Sequence, residues 1–359
     1  MRFLILFLSL LLVQASSFGQ KQIAITFDDL PMALPRISLQ HTIDVNERLV
    51  AGLKDEHVPA IGFVNEGEIV AEDETAARVG ILKLWVQAGF DLGNHTVHHV
   101  DYDGTPYNDF VEELNKGAFY TKKVLQEHNK KLKYFRPPFL STGSTLEKKE
   151  KLEKLLRDNG YTMALSTIES SDFTFNLIYL KAKFEGDSVL MKKAVKNYLD
   201  FTEKKILYFE NLTKKVSGAA IPQILLVHVN DINADNLSAL LNLFKAHNYE
   251  FISLDKALEN PFYHQKDTYV GKRGISWIHR LNLENRKVLM KQEPKLPIEI
   301  KKQNKAAKED QFFFLFKARI LGYNYSLLDF TLISIIPIIF TLIIYLIIAR
   351  RKRKKYQLQ

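Results

Sequence analysis

From Gln22 to Ser253, short runs of β-branched and apolar residues alternate with longer stretches whose apolar residues recur at helical spacing. Gln22 to Phe27, Ala60 to Val64, Phe90 to Gly93, Lys133 to Arg136, Thr162 to Ser166, Gln223 to His228 and Glu250 to Ser253 read as strands. Stretches near Thr42 to Glu56, Glu72 to Ala88, Asp109 to Lys130, Thr145 to Asn159 and Asn236 to His247 read as helices. Such alternation is the pattern of an α/β fold with a parallel sheet. In that architecture reactive side chains gather just past the carboxyl ends of the strands. The residues that follow each strand are therefore where chemistry is to be sought.

The two ends of the chain obey a different rule. Met1-Arg2, the apolar run Phe3 to Val13 and the small, polar stretch Gln14 to Gly19 follow the order of a secretion signal, and the run is too short to span a bilayer. Residues 1–19 are set apart as that signal. From Leu327 to Ala349 only Asp329 is charged, and Arg350-Arg351-Lys352-Arg353-Lys354-Lys355 follows at once. This predicts a transmembrane helix over 327–349, kinked at Pro337, with the basic tail 350–359 held in the cytoplasm. The body is thus expected to be exported and anchored in the cytoplasmic membrane. Of the formal charge of +9, six charges lie in the tail and one is Arg2, which leaves +2 for the exported part and no basis for a nucleic-acid partner.

Between the ends, 20–260 is expected as one domain and 261–326 as an extension and charged linker, with Lys291 to Lys308 leading to the membrane and Gly274 to Ile278 a brief return to the domain. Glu185 to Val216 interrupts the alternation and reads as a helical insertion that packs. There is no cysteine in 359 residues, so any metal must be held by His, Asp or Glu.

The first strand ends in Thr26-Phe27-Asp28-Asp29, two adjacent carboxylates that repel unless each has a partner, a cation or a metal. His95 and His99 are four residues apart, and one helical turn would direct both imidazoles to the same ion while His98 points elsewhere. Two imidazoles and one carboxylate form a three-ligand facial set with open positions. Arg136 precedes Pro137-Pro138-Phe139, and the paired prolines suit a guanidinium held bidentate against a carboxylate. Further on come Ser170-Ser171-Asp172-Phe173 and the apolar strand Ile224 to Val227, which delivers His228 to a strand end.

Taken in order, Thr26-Phe27-Asp28-Asp29, His95-Thr96-Val97-His98-His99, Arg136-Pro137-Pro138-Phe139, Asp172-Phe173 and Leu226-Val227-His228 resemble the five motifs of the polysaccharide deacetylase family, the carbohydrate esterases of family 4 with the NodB homology domain. The resemblance spans about residues 20–258. It implies an irregular (β/α) barrel and a divalent metal, zinc above all, held by Asp29, His95 and His99. It further implies Asp28 as general base oriented by Arg136, His228 as general acid tuned by Asp172, and Pro138, Phe139, Phe173 and Leu226 against the substrate. The implied reaction is hydrolysis of N-acetyl groups on an extracytoplasmic polysaccharide such as peptidoglycan, a chitin-like chain or an exopolysaccharide. Removal of O-acetyl groups by the same residues, or glycan binding without turnover, are the alternatives. The chain departs from the family pattern at Leu30 before Pro31, where glycine is usual, at Phe173, where tryptophan is common, and at Val229-Asn230, where an acidic residue often follows the histidine.

Overall fold

A computed structural model describes residues 20–34, 37–281 and 284–321. The expected signal segment and the expected membrane span lie outside these residues. Among the described residues no helix is long and apolar enough to cross a membrane.

Eight strands form one sheet in which every pairing is parallel: β1 (Lys21–Leu30), β2 (Ala60–Val64), β3 (Asp91–Asn94), β4 (Tyr134–Phe135), β5 (Thr162–Met163), β6 (Ile168–Glu169), β7 (Gln223–His228) and β8 (Tyr249–Phe251). Their order is β5-β4-β3-β2-β1-β7-β6, with β8 also paired to β1. The sheet curls into a half-barrel that stops at β5 and β6, which are neighbours in sequence but not hydrogen-bonded to each other. Of the strand expected over Thr162 to Ser166 only Thr162–Met163 forms, and the unexpected β6 follows it on the opposite edge. The chain from Ser276 to Trp277 reaches this gap: Ser276 Oγ donates to Thr167 O at 2.6 Å and Trp277 N to Ser166 O at 2.8 Å.

Helices cover the outer face. α1 (Leu39–Asp55) is capped by Ser38, whose hydroxyl accepts from His41 N, and it buries Thr42, Val45, Asn46, Leu49 and Leu53 along one stripe. α2 (Thr75–Gln87) delivers Trp85, which is fully buried and donates through Nε1 to Asn46 Oδ1 at 2.8 Å. The helix expected over Asp109 to Lys130 is two: α3 (Tyr107–Lys116) and α4 (Phe119–Glu127). They part at Gly117, where only glycine fits, since a Cβ there would stand 2.7 Å from the carbonyl carbon of Thr96 and 2.8 Å from Glu113 O. α5 (Leu146–Asp158) starts on the Thr145 cap. The insertion is helical, as its spacing suggests: α6 (Asp172–Glu185) ends at Gly186 in the left-handed region, and the 30-residue α7 (Ser188–Ser217) returns against it. α8 (Asp231–Ala246) and α9 (Leu254–Leu258) complete the alternation.

The segment expected as extension and linker is built differently. α10 (Trp277–Leu281), α11 (Arg286–Gln292) and α12 (Ile298–Leu321) follow, and α12 packs along α6. Phe262, Trp277, Ile278, Ile300 and Ala307 are buried, and Asn304 Nδ2 donates to Thr174 O at 2.9 Å. Ile300, Asn304 and Ala307 recur at helical spacing and are buried together, a pattern that composition alone conceals.

Candidate metal centre and catalytic groups

Strand order explains why residues far apart in sequence meet. β4, β3, β2, β1 and β7 are consecutive neighbours, and their carboxyl ends carry Arg136, His95, Asn65, the pair Asp28-Asp29 and His228. In the β1–β7 register Asp28 lies directly opposite His228.

One ligand atom from each of Asp29, His95 and His99 falls within 4.8 Å of the others. Both imidazole Nε2 atoms stand 3.6 Å from Asp29 Oδ1. The two histidines do not converge through a helical turn, as their spacing suggests. The segment after β3 is a loop in which Thr96 and His99 have φ values of 69° and 54°. Four contacts impose that loop. Asn94 Oδ1 accepts from Thr96 N at 2.8 Å, Glu113 Oε2 accepts from Val97 N at 3.1 Å and His98 N at 2.8 Å, and Glu66 N donates to Thr96 O at 3.2 Å. His98 turns outward onto Glu113 Oε1.

The donor set fits a divalent cation. His95 Nδ1 lies 2.7 Å from the Arg136 carbonyl oxygen and can only donate to it, so the Nε2 lone pair faces Asp29. Burial, reinforced by neighbouring His99, pushes the His95 imidazole down to about 3 and keeps it neutral. Asp29 itself has φ of 60°, and Asn65 Nδ2 donates to its Oδ1 at 2.7 Å. A cavity of about 280 Å³ opens beside the cluster, lined by Asp29, Met32, Asn65, Val97 and His99 among others.

Asp28 is only 4% exposed. Its Oδ1 accepts from Arg136 Nη1 at 2.6 Å, and its Oδ2 faces His95 Nε2 at 3.9 Å. The guanidinium is fully buried and is not bidentate on Asp28, as the paired prolines suggest. Nη1 also donates to Thr26 Oγ1 at 2.7 Å, Nε donates to Ala164 O at 2.8 Å, and the plane lies over the Phe63 ring. One nitrogen reaches the carboxylate because Nε is taken by the carbonyl just past β5, and Nη2 is buried without a hydrogen-bond partner among the described residues.

His228 Nδ1 lies 2.8 Å from Asp172 Oδ1. Asp172 Oδ2 accepts from His228 N, Asn230 Nδ2 and Asn233 Nδ2 at 2.8, 2.7 and 2.6 Å, so the buried carboxylate is satisfied as an anion. Burial by itself lowers His228, but the charge and hydrogen bond of Asp172 outweigh it, with Asp29 and Asp28 adding, and the imidazole is raised to about 10. Asn230, in the Val229-Asn230 step where the family resemblance leads one to expect an acid, is one of the two amides that donate to Asp172. Asp231 is turned away onto His41, 3.0 Å distant.

The residues expected against the substrate divide. Phe139 and Phe173 are 40% and 46% exposed, and their rings stand edge-on to His99 and His228. Pro138 and Leu226 are buried instead, the latter in the main core, where its β7 backbone pairs with Thr26. Asn65, Glu66, Glu113 and Asn233 carry no signal in the sequence. Asn65, Glu66 and Asn233 find partners 36 to 61 residues away, and Glu113 holds the irregular loop that bears the histidines.

No curated protein matches this chain. Solved structures that resemble it include a carbohydrate esterase family 4 pseudoenzyme from Bacillus anthracis, 15% identical over 67% of this chain and 66% of that one, with a TM-score of 0.47. A polysaccharide deacetylase from Bacillus cereus is 19% identical over 65% and 92%, with a TM-score of 0.46. A family 4 carbohydrate esterase from Streptomyces lividans is 16% identical over 66% and 95%, with a TM-score of 0.42. Residues 15–164 match the family model described as polysaccharide deacetylase, which takes in β1 to β5 with Asp28, Asp29, His95, His99 and Arg136. The likeness of this chain to the polysaccharide deacetylase family is thus carried by residues 15–164.

Proposed function

We propose that this protein hydrolyses N-acetyl groups on an extracytoplasmic polysaccharide, using a divalent metal, zinc by preference, held by Asp29, His95 and His99. The observation that carries this reading is the meeting of these three ligand atoms within 4.8 Å, with Asp28 and His228 facing each other across the β1–β7 register. When bound, the ion supplies Lewis acidity toward the acetyl carbonyl and acidifies water. Asp28 accepts the proton of the attacking water through Oδ2, while Arg136 holds Oδ1 and fixes the direction of the lone pairs. His228, charged through Asp172, delivers its Nε2 proton to the departing amine, which is otherwise a poor leaving group. Phe139 and Phe173 flank the site as exposed apolar walls.

Export and tethering belong to the same proposal, supported by the apolar segments 3–13 and 327–349 and the basic cluster 350–355. The decisive experiment is metal analysis of the full-length protein in detergent, coupled to acetate release from N-acetylated and O-acetylated glycans with and without added zinc. Metal-dependent release from the amide substrate is expected. Release confined to the O-acetyl substrate, or none with the metal site filled, overturns the reading.

A further inference from the structure

The extension after residue 260 adds a cation to the rim of the site. Residues 271–274 lie across the loop that follows β4. Gly271 N donates to Gly143 O at 3.0 Å, Ser141 Oγ to Lys272 O at 3.1 Å and Gly274 N to Phe139 O at 3.0 Å. At Gly274 a Cβ would fall 2.1 Å from Leu140 O, so glycine is the residue that allows this contact. The strap thereby fixes Arg273, whose guanidinium carbon lies 4.1 Å from the centroid of the Phe139 ring. That ring is in turn 4.6 Å from the ring of His99.

Arg273 is exposed, and among the described residues no carboxylate pairs with it or with the adjacent, equally exposed Lys272. Asp267, the nearest acid in sequence, is engaged by Lys149 at 2.5 Å and Arg280 at 2.9 Å. A guanidinium whose face rests on an aromatic ring is pre-ordered while the N–H groups along its edge remain available, the geometry that grips a carboxylate with two parallel hydrogen bonds.

We propose that Arg273 is a specificity residue that binds a carboxylate borne by the acetylated glycan, beside Phe139, so that acidic chains are favoured over neutral ones. The inference rests on the deacetylase reading of the neighbouring site but concerns binding, and the two are separable. The test uses the full-length protein in detergent with zinc and two probes. One is the tetrasaccharide of alternating N-acetylglucosamine and N-acetylmuramic acid, whose lactyl ethers carry carboxylates; the other is neutral chitotetraose. The ratio of kcat/KM for the acidic over the neutral probe is expected to exceed one in the native protein. It should fall about tenfold, through KM, in Arg273→Gln and recover in part in Arg273→Lys. No native preference, or an equal loss on both probes in Arg273→Gln, overturns the proposal. Calorimetric binding of the same probes to Asp28→Asn, alone and combined with Arg273→Gln, gives a readout without turnover. If neither probe releases acetate, the deacetylase reading fails on its own, and these affinities still decide: selective binding of the acidic probe that vanishes with Arg273→Gln upholds the role of Arg273, and equal binding refutes it.

Discussion

A carboxylate that deprotonates water, the role proposed for Asp28, needs one oxygen held and one oxygen free, and Asp28 has Oδ1 on Arg136 and Oδ2 toward His95. Asp28→Asn keeps the shape and removes the basicity. Acetate release should fall by about 10²- to 10⁴-fold while zinc content is unchanged; loss of zinc together with activity would show that Asp28 is a ligand instead. His228 is governed by Asp172. Its folded-state value, about 10, lies above the ordinary 6.5, so in the metal-free protein this ion pair stabilises the fold fully below about pH 6.5. That stabilisation is lost as pH rises toward 10. In Asp172→Asn the imidazole should titrate near or below its ordinary value, read by NMR of the ring protons, and the melting temperature of the metal-free protein should lose its decline between pH 6.5 and 10. An unshifted titration would remove Asp172 from the role assigned to it. At this scale the sequence was informative for Asp28, Asp29, His95, His99, Arg136 and His228, because they end or follow expected strands, whereas Asp172 was reached through the family resemblance. It was silent on what Asn230 and Asn233 do, since amides two and five residues past a strand are indistinguishable in sequence from ordinary helix-capping residues.

The loop bearing His95 and His99 takes its shape from the elements around it. Gly117, at the break between α3 and α4, presses on the backbone of Thr96. Gly117→Ala must displace that loop or α3, with an expected loss of ~1–3 kcal/mol of stability and weaker zinc affinity, measurable by thermal unfolding and by competition with a chelator. Retained affinity would mean that the ligand loop does not depend on this packing. The insertion reaches the site in a similar manner, because Tyr198 on α7 donates to Asn233 Oδ1 at 2.8 Å, and Asn233 donates to Asp172. Tyr198→Phe leaves a buried amide oxygen without its donor and should cost ~1 kcal/mol in chemical unfolding, with a smaller effect on zinc content. Helical spacing revealed the helical insertion over Glu185 to Val216, observed as α7; its tie to Asp172 and His228 depends on α6 and α7 folding back over β7, which spacing does not encode.

The half-barrel is completed by chain that lies beyond its last strand. Trp277 and Ile278 are buried near the gap between β5 and β6, and α12 covers α6 with Ile300 and Ala307. Truncation after Asn260 would uncover these surfaces. Such a protein should lose cooperative unfolding and expose apolar surface to a hydrophobic dye, whereas the chain ending at Leu321 should unfold in one transition. Equal stability of the two would restore the view of this segment as a linker.

What the sequence determined by itself is the alternation of strand and helix, and with it the parallel sheet whose carboxyl ends carry the reactive residues, because periodicity and β-branching act within a few residues of themselves. Tertiary structure alone decided how those residues meet. The left-handed backbone at Asp29, Thr96 and His99, the single-nitrogen grip of Arg136 on Asp28 and the strap that sets Arg273 on Phe139 all arise from contacts between segments remote in the chain. Such contacts leave no periodic signature, since each is fixed by the one shape its neighbours permit.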